Sequence, residues 1–567
     1  MCQIDSVKVR ISRLDPRAWP GRSERGLHVP APMPAIPGKD LGRSLTRGAL
    51  SGLLLGIASL PGPFGLLVFV ALVPLLAEID RGVAPRRAGA AGFVAGLLYF
   101  AIGFGFVPFA RVGGGLALPA AYLLGIVVLA APVAAFAALL AWLRRFSRSL
   151  PLLVAPGGWI ALELVRSQDL IGVPWLHLAY ALADLPWLIQ AASVVGLYGI
   201  SCWVASVNSG LVAGAALSPR GRVLLAISLS LPLLPGLVGP APEPHDGTPS
   251  LRVAAVQPGI PESSRHDRAS FHPNLRRLLE LSTRVVERPV DLIVWPESAY
   301  ERDLAPNGDA FLVSIANGLG APLLTGAWRF PRPLSTAKRN AALLVSRQGE
   351  LIHAADKVHP VTIYERAPRT AISRTLARLG LWTGRFEAGE AASPVAIERT
   401  GGSPVPVGVL ICIDTSYPDL VRELRARGAR LLIELSNEAG TGRWSARLHA
   451  RIARFRAVEM RTPFVRVANT GPTQWIDARG RLVHALAPGA PDAAVRALEL
   501  AGPPPLAARL TARVVVAAAL GFGIGVSGLS AGFRRRAHRR AARGSGPRFD
   551  LNQVMEGSSR WSYERMS

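Results

Sequence analysis

The chain has 567 residues, of which 50% are hydrophobic, and it carries a formal net charge of +26 at pH 7. Its mean hydropathy is +0.30 in spite of that charge, a combination that indicates membrane helices with basic flanks more than a nucleic-acid-binding protein. No zinc-ligand spacing, phosphate-binding glycine loop or aromatic RNA-binding motif supports a nucleic-acid partner. The three cysteines, Cys2, Cys202 and Cys412, offer no disulfide framework.

The first 240 residues change from a polar tail to a series of apolar blocks. Residues 1–40 are charged, contain prolines and lack periodicity, so they predict a disordered cytoplasmic tail. Residues 41–240 predict a membrane domain of seven spans, several of them near the roughly 20 residues that cross a bilayer. The predicted spans are Leu45–Leu60, Phe64–Ile79, Ala88–Ala110, Leu116–Leu143, Leu152–Val165, Leu188–Leu217 and Val223–Val238.

The arginines fall on one side of these blocks and so predict an orientation. An eighth block, Val514–Phe533, lies in a predicted transmembrane helix at residues 506–536, and a basic disordered cytoplasmic tail follows at residues 537–567. The positive-inside rule then places both termini in the cytoplasm and residues 241–505 outside it, with Arg111 as the exception. The arginines assigned to the cytoplasm are Arg43, Arg47, Arg81, Arg86, Arg87, Arg144, Arg145, Arg148, Arg220, Arg222 and those of the run Arg534–Arg540.

Residues 241–505 alternate between short apolar runs and helical stretches, which predicts an α/β domain whose helices cover a sheet. The predicted strands are Arg252–Gln257, Asp291–Trp295, Pro322–Trp328, Ala341–Val345, Val407–Ile411, Leu431–Leu435 and Phe464–Ala468. The helical stretches include Asn274–Val286 and Ser445–Met460.

Single reactive side chains stand just beyond three of the apolar runs, at the end of a strand where open α/β sheets bind ligands. Glu297 follows D-L-I-V-W-P, Lys357 follows A-A-D, and Cys412 follows V-G-V-L-I. Taken singly, each has an ordinary alternative: an exposed carboxylate, a solvated charge, and a small buried hydrophobe. Only four of the 64 basic residues are lysine, so a lysine at this place indicates a need for a compact ammonium group.

Together these three side chains satisfy the needs of acyl transfer without a histidine. An acyl-transferring cysteine needs a base to take its proton and a cation or donor to stabilise the tetrahedral oxyanion, and a glutamate and a lysine meet those needs. The motifs W-P-E, D-K and I-C, in that order, resemble the Glu–Lys–Cys triad of the nitrilase superfamily. The resemblance implies an α-β-β-α sandwich in which Glu297, Lys357 and Cys412 are catalytic.

The predicted membrane spans on either side of this domain narrow the resemblance to one family. An outer domain inserted before the last of about eight spans resembles bacterial apolipoprotein N-acyltransferase, and V-P-W-L-H-L-A-Y (Val173–Tyr180) is similar to that family's membrane motif. Glu365 falls where the family has a further essential glutamate, which implies that it orients Lys357 or Glu297. The segments S-N and R-V-A-N-T-G, at Ser436 and Arg466, also fit the family.

Two stretches depart from the family pattern. Ile413-Asp414 follows Cys412 where Tyr-Glu is common, and Glu438-Ala439-Gly440-Thr441 replaces the usual D-x-W-F after Ser-Asn. The resemblance implies that these positions line the acyl or acceptor pocket, so the substrate range stays open. The candidate substrate-binding residues are Ile413, Asp414, Ser436, Asn437, Glu438 and Trp382. One group of apolar residues is interpreted either as an arm that reaches toward lipid or as ordinary core. They are Ile363, Tyr364, Leu376, Leu379, Leu381, Trp382 and Phe386.

The resemblance implies an enzyme that moves a fatty acyl chain from a phospholipid, through a thioester, to the N-terminal amine of a diacylglyceryl-cysteine lipoprotein. The implied partners are that phospholipid, that lipoprotein and the bilayer, and the implied location is the bacterial inner membrane, with the catalytic domain on the periplasmic face. No cofactor, metal or nucleic acid is expected. Two rivals are a membrane-tethered amidase or nitrilase with water as acceptor, and a catalytically silent scaffold, which the intact triad disfavours.

Glu163 and Arg166 are two charges within the fifth predicted span, three residues apart in W-I-A-L-E-L-V-R. On a helix this spacing places them on one face, where they neutralise each other. Because a charge in a bilayer is costly, one interpretation is that they face each other or a polar cavity inside the bundle. The other interpretation is that both are interfacial anchors.

The arginine asymmetry generates a prediction about topology. A reporter that is active only in the cytoplasm, fused after Gly401, should give no signal, because the rule places this residue outside the membrane. The same reporter fused after Arg148, in a predicted cytoplasmic loop, is the control and should be active. Strong signal from the Gly401 fusion would contradict the orientation.

Overall fold

The structure, a computed structural model, describes the larger part of the chain. The described residues are 37–110, 117–168, 172–215, 217–237, 249–264, 267–304, 309–332, 338–361, 365, 386–390, 393–523 and 525. The chain divides between Gly42 and Arg43 into two compact units. The first is described only from Pro37, and every site discussed below lies in the second.

The N-terminal half forms a helical bundle. Its helices are α1 (Pro37–Ser59), α2 (Val73–Asp80), α3 (Pro85–Gly103), α4 (Ala117–Leu143), α5 (Leu150–Ser167), α6 (Ala192–Gly214), α7 (Pro219–Ser230) and α8 (Leu234–Leu237). Among the described residues, five segments are long and apolar enough to cross a membrane: Pro63–Asp80, Pro85–Phe109, Tyr122–Leu143, Leu150–Ser167 and Ala192–Gly214. These five coincide with the second to sixth predicted spans.

The count of eight spans is not confirmed. In place of the seventh predicted span, α7 ends at Ser230 and a short 3-10 helix, Leu231–Leu233, leads into α8. Pro232 and Pro235 lie in this stretch, and proline removes the backbone donor that a continuous helix needs. The eighth predicted span begins within a short apolar helix, Ala512–Gly523, and continues into residues that the structure does not describe.

Small residues allow close packing between α3 and α4. A Cβ atom at Gly92 would lie 2.7 Å from the carbonyl oxygen of Val133, and one at Gly96 would lie 2.7 Å from Cα of Ala130. Glycine at these places lets the two backbones approach each other, which is a common way for membrane helices to associate because lipid provides no hydrophobic driving force between them.

The second half of the chain forms two β-sheets. Its strands are β1 (Ser250–Gln257), β2 (Leu292–Val294), β3 (Tyr300–Leu304), β4 (Leu323–Arg329), β5 (Arg339–Val345), β6 (Leu351–Asp356), β7 (Val395–Arg399), β8 (Gly402–Ile411), β9 (Leu431–Ser436), β10 (Phe464–Ala468), β11 (Gln474–Ile476), β12 (Leu482–Ala485) and β13 (Asp492–Glu499). The first sheet has the order β13-β1-β2-β4-β5-β6, with β3 beside β4, and the second has the order β12-β11-β10-β9-β8-β7. In each sheet the central strands are parallel: β1, β2 and β4 in the first, and β8, β9 and β10 in the second.

The two sheets pack face to face, and helices cover their outer faces. Val253 and Leu292 of the first sheet share one core with Val407 and Ile433 of the second. The alternate residues of the first sheet pack instead against α9 (Phe271–Val286) and α10 (Ala310–Leu319). The second sheet is covered by α11 (Pro418–Ala426) and α12 (Gly442–Met460). The predicted α-β-β-α sandwich is confirmed.

Helix α12 joins the sandwich to the membrane bundle, because it is buried on two sides. Ala453 and Ala457 belong to the core of the sandwich, whereas Ile452, Phe455 and Val458 belong to the core of the bundle. The bundle and the sandwich therefore share one helix, and a displacement of either would move α12.

Arginines of α12 add polar contacts to this docking. Arg451 donates to the carbonyl oxygens of Ser59 and Ala181, at 3.0 and 2.7 Å, and its Nε lies 2.9 Å from Asp184. Arg454 lies 3.5 Å from the same carboxylate. A guanidinium presents several donors in a fixed plane, so one side chain can bind several carbonyl oxygens at once.

Candidate active site

The three predicted catalytic residues come from both sheets. Glu297 follows β2, Lys357 directly follows β6, and Cys412 directly follows β8. Their exposed fractions are 5, 2 and 8%, so the site lies inside the domain. The prediction that each stands at a strand end is confirmed, since β2 ends at Val294, β6 at Asp356 and β8 at Ile411.

The ammonium group of Lys357 lies between two carboxylates. Its Nζ is 2.9 Å from Oε1 of Glu297 and 2.9 Å from Oε1 of Glu365. Burial lowers the pKa of Lys357, but the attraction of the two carboxylates outweighs burial and holds that pKa well above its usual value. Lys357 is therefore charged throughout the neutral range and available as a hydrogen-bond donor.

Glu365 is fixed at both carboxylate oxygens. Oε1 accepts the bond from Lys357, and Oε2 accepts a bond of 2.7 Å from the backbone N–H of Val361. Burial raises the pKa of Glu365, and the neighbouring charge of Glu297 adds to that effect against the opposing charge of Lys357. The structure thus brings Glu365 onto Lys357, where the family resemblance expected it.

Two residues that the sequence did not single out hold Glu297. Nδ2 of Asn340 donates to Oε1 of Glu297 at 2.7 Å. A Cβ atom at Gly326 would lie 2.7 Å from Cα of Glu297, so only glycine lets β4 pass this close to the segment that carries Glu297. The available signals were a polar residue at the start of the apolar strand β5 and a glycine inside β4, a place where glycine often marks a close backbone approach.

Cys412 begins a tight turn in a strained conformation. It is the first residue of a 3-10 helix, Cys412–Ser416, which we call the nucleophile turn, and its φ is 52°. A positive φ is rare for a residue with a Cβ atom and persists where surrounding contacts enforce it. Burial raises the pKa of the thiol and the negative charge of Glu297 raises it further, while Lys357 opposes them. The resting thiol is neutral, and it becomes a nucleophile when a base removes its proton.

Asp414 ties the nucleophile turn to the loop after Lys357. Its carboxylate accepts hydrogen bonds from the backbone N–H groups of Val358 and His359, at 3.1 and 2.8 Å. The ring of His359 stacks on Tyr417 with centroids 3.6 Å apart. Asp414 is almost completely buried, as is Ile413 beside it. Contact of these two residues with substrate stays a prediction, whereas the link between the two catalytic loops is a structural finding.

Ser436 is the last residue of β9, and Asn437 and Glu438 follow it, beside the site. Nδ2 of Asn437 donates to the backbone carbonyl oxygen of Glu297 at 3.4 Å, and Asn469 donates to Oδ1 of Asn437 at 3.1 Å. Ser436 donates to Glu438. These contacts support the position of Glu297 from the second sheet. Trp382 and the arm residues Ile363, Tyr364, Leu376, Leu379 and Leu381 lie outside the described residues, and the described Phe386 packs edge-on to Trp328.

A buried cluster of two glutamates and a histidine lies at the end of β9. The side chains of Glu434, Glu438 and His449 bring potential metal ligands within 4.8 Å of one another. However, the guanidinium of Arg466 forms ion pairs with both carboxylates. A cation of this chain already supplies the countercharge, so the donor set gives no reason to add a metal.

The membrane motif meets the catalytic domain at the cluster's edge. The ring of Trp175 lies edge-on to that of His449, with centroids 4.6 Å apart. Around Trp175 the backbone is irregular, and its N–H and carbonyl groups form hydrogen bonds with the two charged side chains of α5, Glu163 and Arg166. Arg166 donates to the carbonyl oxygens of Trp175 and Leu176, and Glu163 accepts from the N–H of Leu178 at 2.8 Å.

Glu163 and Arg166 lie inside the bundle and are not interfacial anchors, but the cavity that they line is apolar and not the polar cavity that was predicted. Both side chains are buried, and both line an apolar cavity between α3, α4 and α5. Irregular backbone at membrane depth is tolerated where protein groups satisfy its hydrogen bonds. Here Glu163 and Arg166 form those hydrogen bonds, which explains why two charged residues occur in an otherwise apolar span.

Comparison with family models divides the chain as the fold does. The model described as apolipoprotein N-acyltransferase N-terminal domain matches residues 51–234. The model described as carbon-nitrogen hydrolase matches residues 252–501. The first covers the helical bundle and the second covers the two-sheet sandwich.

Curated relatives match over most of their length. The chain is 32% identical over 477 residues to an apolipoprotein N-acyltransferase of Geobacter metallireducens, which covers 79% of this chain and 87% of the relative. It is 29% identical over 500 residues to an apolipoprotein N-acyltransferase of Rhodopseudomonas palustris, covering 82% and 90%. Among solved structures, a carbon-nitrogen hydrolase from Helicobacter pylori matches with a TM-score of 0.34 and 15% identity, covering 44% of this chain and 89% of that one.

The buried Lys357 generates a prediction about stability and pH. Lys357→Met leaves the carboxyl groups of Glu297 and Glu365 buried without their cation, so the pKa of Glu365, already raised by burial, rises further. A carboxyl group whose pKa is higher in the folded state stabilises the fold below its unfolded value and loses that contribution as the pH rises through the folded value. We expect the thermal midpoint of the variant in detergent to fall from about pH 5 to about pH 8 more steeply than that of the wild type.

Lys338→Met is the matched control, because Lys338 pairs with the partly exposed Asp303. In the wild type, the raised pKa of Lys357 keeps its own stabilising contribution intact across this range, since that contribution is lost only above the unfolded value of about 10.4. Equal pH dependence in both variants would contradict the buried charge balance.

Proposed function

Because the chain belongs to the apolipoprotein N-acyltransferase family and is an acyltransferase, we propose that it moves a fatty acyl chain from a phospholipid to the N-terminal amine of a diacylglyceryl-cysteine lipoprotein. The observation that carries the proposal is the buried ammonium of Lys357 between Glu297 and Glu365, with the strained Cys412 close enough to respond to their charges. Base, oxyanion donor and nucleophile are the three groups that a thioester mechanism needs.

In the first half-reaction Cys412 is acylated. Glu297 takes the thiol proton, and Sγ attacks the carbonyl carbon of the phospholipid ester. The oxyanion receives hydrogen bonds from Nζ of Lys357 and from the backbone N–H of Ile413. When the tetrahedral intermediate collapses, the ester C–O bond breaks and the protonated Glu297 returns its proton to the leaving alkoxide. The products are a lysophospholipid and an acyl thioester.

In the second half-reaction the thioester is consumed. The α-amine of the lipoprotein attacks the thioester carbonyl, and Glu297 accepts the proton that the nitrogen loses. The same donors stabilise the second oxyanion, the C–S bond breaks, and Cys412 recovers a proton from Glu297. The amide remains on the lipoprotein, and the enzyme is ready for another phospholipid.

Both substrates carry acyl chains, so the site must be reached from a lipid surface. The chain is a bacterial membrane protein by its family and its five apolar segments. Arginine asymmetry supports the inner membrane with residues 241–505 on the periplasmic face, between a membrane domain at 41–240 and a last helix at 506–536. The cytoplasmic tails at 1–40 and 537–567 complete the proposed organisation.

A second candidate is a membrane-tethered carbon-nitrogen hydrolase that uses the same triad with water as acceptor. The match of residues 252–501 to the carbon-nitrogen hydrolase model favours it. The two candidates differ in the fate of the acyl group: an amide on a lipopeptide in one, a free acid in the other.

Cys412→Ala tests the proposal in cells that lack N-acylation of lipoproteins. The wild-type gene should restore N-acylated lipoproteins, and Cys412→Ala should not, because no other residue of the triad can hold the thioester. Cys202→Ala is the control, since Cys202 is the other described free cysteine and lies in α6. Restoration by Cys412→Ala, or no restoration by the wild type with release of free fatty acid, would contradict the transfer.

Lys357→Arg tests the role of the ammonium. Arginine keeps the charge but replaces a compact group with a planar fork, so it misplaces the oxyanion donor. We expect the rate of acyl-enzyme formation from labelled phospholipid in detergent to fall about 100- to 1,000-fold, the usual effect of losing one such donor. Near-full activity would mean that Lys357 acts only as a countercharge.

A further inference from the structure

Arg456 is a fully buried arginine in α12, with 0% of its surface exposed. It lies on the helix that the sandwich and the bundle share, but its guanidinium does not contact the same groups as the docking residues Arg451 and Arg454. A buried guanidinium is retained at high cost, so its hydrogen bonds indicate what it is needed for.

The guanidinium of Arg456 binds the end of the nucleophile turn. Nε donates to the carbonyl oxygen of Thr415 at 3.0 Å, and Nη2 donates to that of Ser416 at 3.2 Å. Nη2 also donates to the hydroxyl of Tyr180 in the membrane domain, and that hydroxyl lies 3.3 Å from the carbonyl oxygen of Ser416. Arg456, Tyr180 and the turn therefore form one closed group of hydrogen bonds.

The other side of Arg456 is fixed by an ion pair. Nη1 binds Oε2 of Glu459, and Oε1 of Glu459 accepts a bond of 2.6 Å from the backbone N–H of Leu197 in α6. The guanidinium plane is thus held from the bundle by Glu459 and Tyr180 together. These contacts restrict the guanidinium, so it cannot shift together with a displaced nucleophile turn.

The turn needs such support because Cys412 is strained. A non-glycine residue at φ 52° is in a disfavoured backbone conformation and keeps it only where its surroundings enforce it. Among the described residues, the hydroxyl groups of Thr415 and Ser416 have no hydrogen-bond partner, so these side chains do not hold the turn. Its carbonyl oxygens are held instead, by Arg456.

We infer that Arg456 is a positioning residue for acyl transfer, which transmits the docking of the membrane domain, through Tyr180, to the nucleophile turn. The inference rests on the proposed function. Holding Thr415 and Ser416 fixes the direction of Sγ of Cys412 and of the backbone N–H of Ile413, the proposed second oxyanion donor. Arg456 itself contacts neither substrate nor the reacting atoms.

Arg456→Lys, Tyr180→Phe and the control Arg454→Gln test the inference in purified full-length protein. Lysine keeps the charge, but one nitrogen cannot reach both carbonyl oxygens, Tyr180 and Glu459 together. Tyr180→Phe removes one hydroxyl without changing the packing of the ring. Arg454→Gln removes a docking arginine of the same helix that binds Asp184 and the carbonyl oxygen of Gly480.

The first measurement is single-turnover acylation by labelled phospholipid over a range of phospholipid concentrations. We expect the maximal rate to fall about 100-fold for Arg456→Lys and about 10-fold for Tyr180→Phe, since geometry that affects an oxyanion donor acts on the chemical step. The half-saturating phospholipid concentration should stay within about twofold of the wild type, because Arg456 fixes the direction of the reacting groups and does not itself contact the lipid. Arg454→Gln should leave both quantities within about twofold.

The second measurement is the rate at which iodoacetamide alkylates Cys412 in a Cys202→Ala background, which reads the turn without any lipid. We expect it to fall about 10-fold in Arg456→Lys and Tyr180→Phe, because the thiol loses its alignment with Glu297. This readout remains valid if the wild type accepts no acyl group from phospholipid, so failure of the proposed function and failure of the inference are distinguishable.

Thermal midpoints identify a variant that is unfolded at the assay temperature, in which case Tyr180→Phe alone carries the test. Equal losses in Tyr180→Phe and Arg454→Gln would overturn the inference, because general loosening of the domains would then explain both. Wild-type acylation and alkylation rates in Tyr180→Phe and Arg456→Lys would overturn it as well.

Discussion

The site depends on one buried cation. Taking an ammonium group out of water is costly, and Lys357 is stable inside the domain because it lies 2.9 Å from each of two carboxylates. The same three side chains lie beside a thiol whose pKa is raised by burial and by the charge of Glu297. In the proposed mechanism Glu297 is the base, and Lys357 keeps its charge for the oxyanion. The proposed base and the proposed oxyanion donor therefore depend on the same charge balance.

Helix α12 holds the domain that contains these charges against the membrane bundle. One side of the helix belongs to the core of the sandwich and the other to the core of the bundle. Its arginines bind carbonyl oxygens of both domains, and Arg456 binds the turn that carries Cys412. The candidate catalytic groups thus lie in a fixed relation to the helices of the bundle, which is what the proposed transfer between two acylated substrates requires.

The sequence predicted those features that local pattern determines. Glu297, Lys357 and Cys412 could be found because each follows a short apolar run directly, and a buried strand has that pattern. Asn340 and Gly326 left only weak local signals and Arg456 left none, since the roles of all three arise from contacts with residues 29 or more positions away. The pairing of β1 with β13 likewise joins segments more than 200 residues apart. Span count was the weakest prediction, because prolines and short breaks divide apolar blocks in ways that hydropathy does not reveal.

The most direct test of the account is peptide mapping by mass spectrometry after incubation with a phospholipid that carries an isotopically labelled acyl chain, without acceptor. The account predicts the labelled acyl group on the peptide that contains Cys412, bound as a thioester that neutral hydroxylamine removes, and its transfer to the amine of a diacylated lipopeptide added afterwards. An acyl group on any other residue, or labelled fatty acid released at the same rate with and without the lipopeptide, would contradict it.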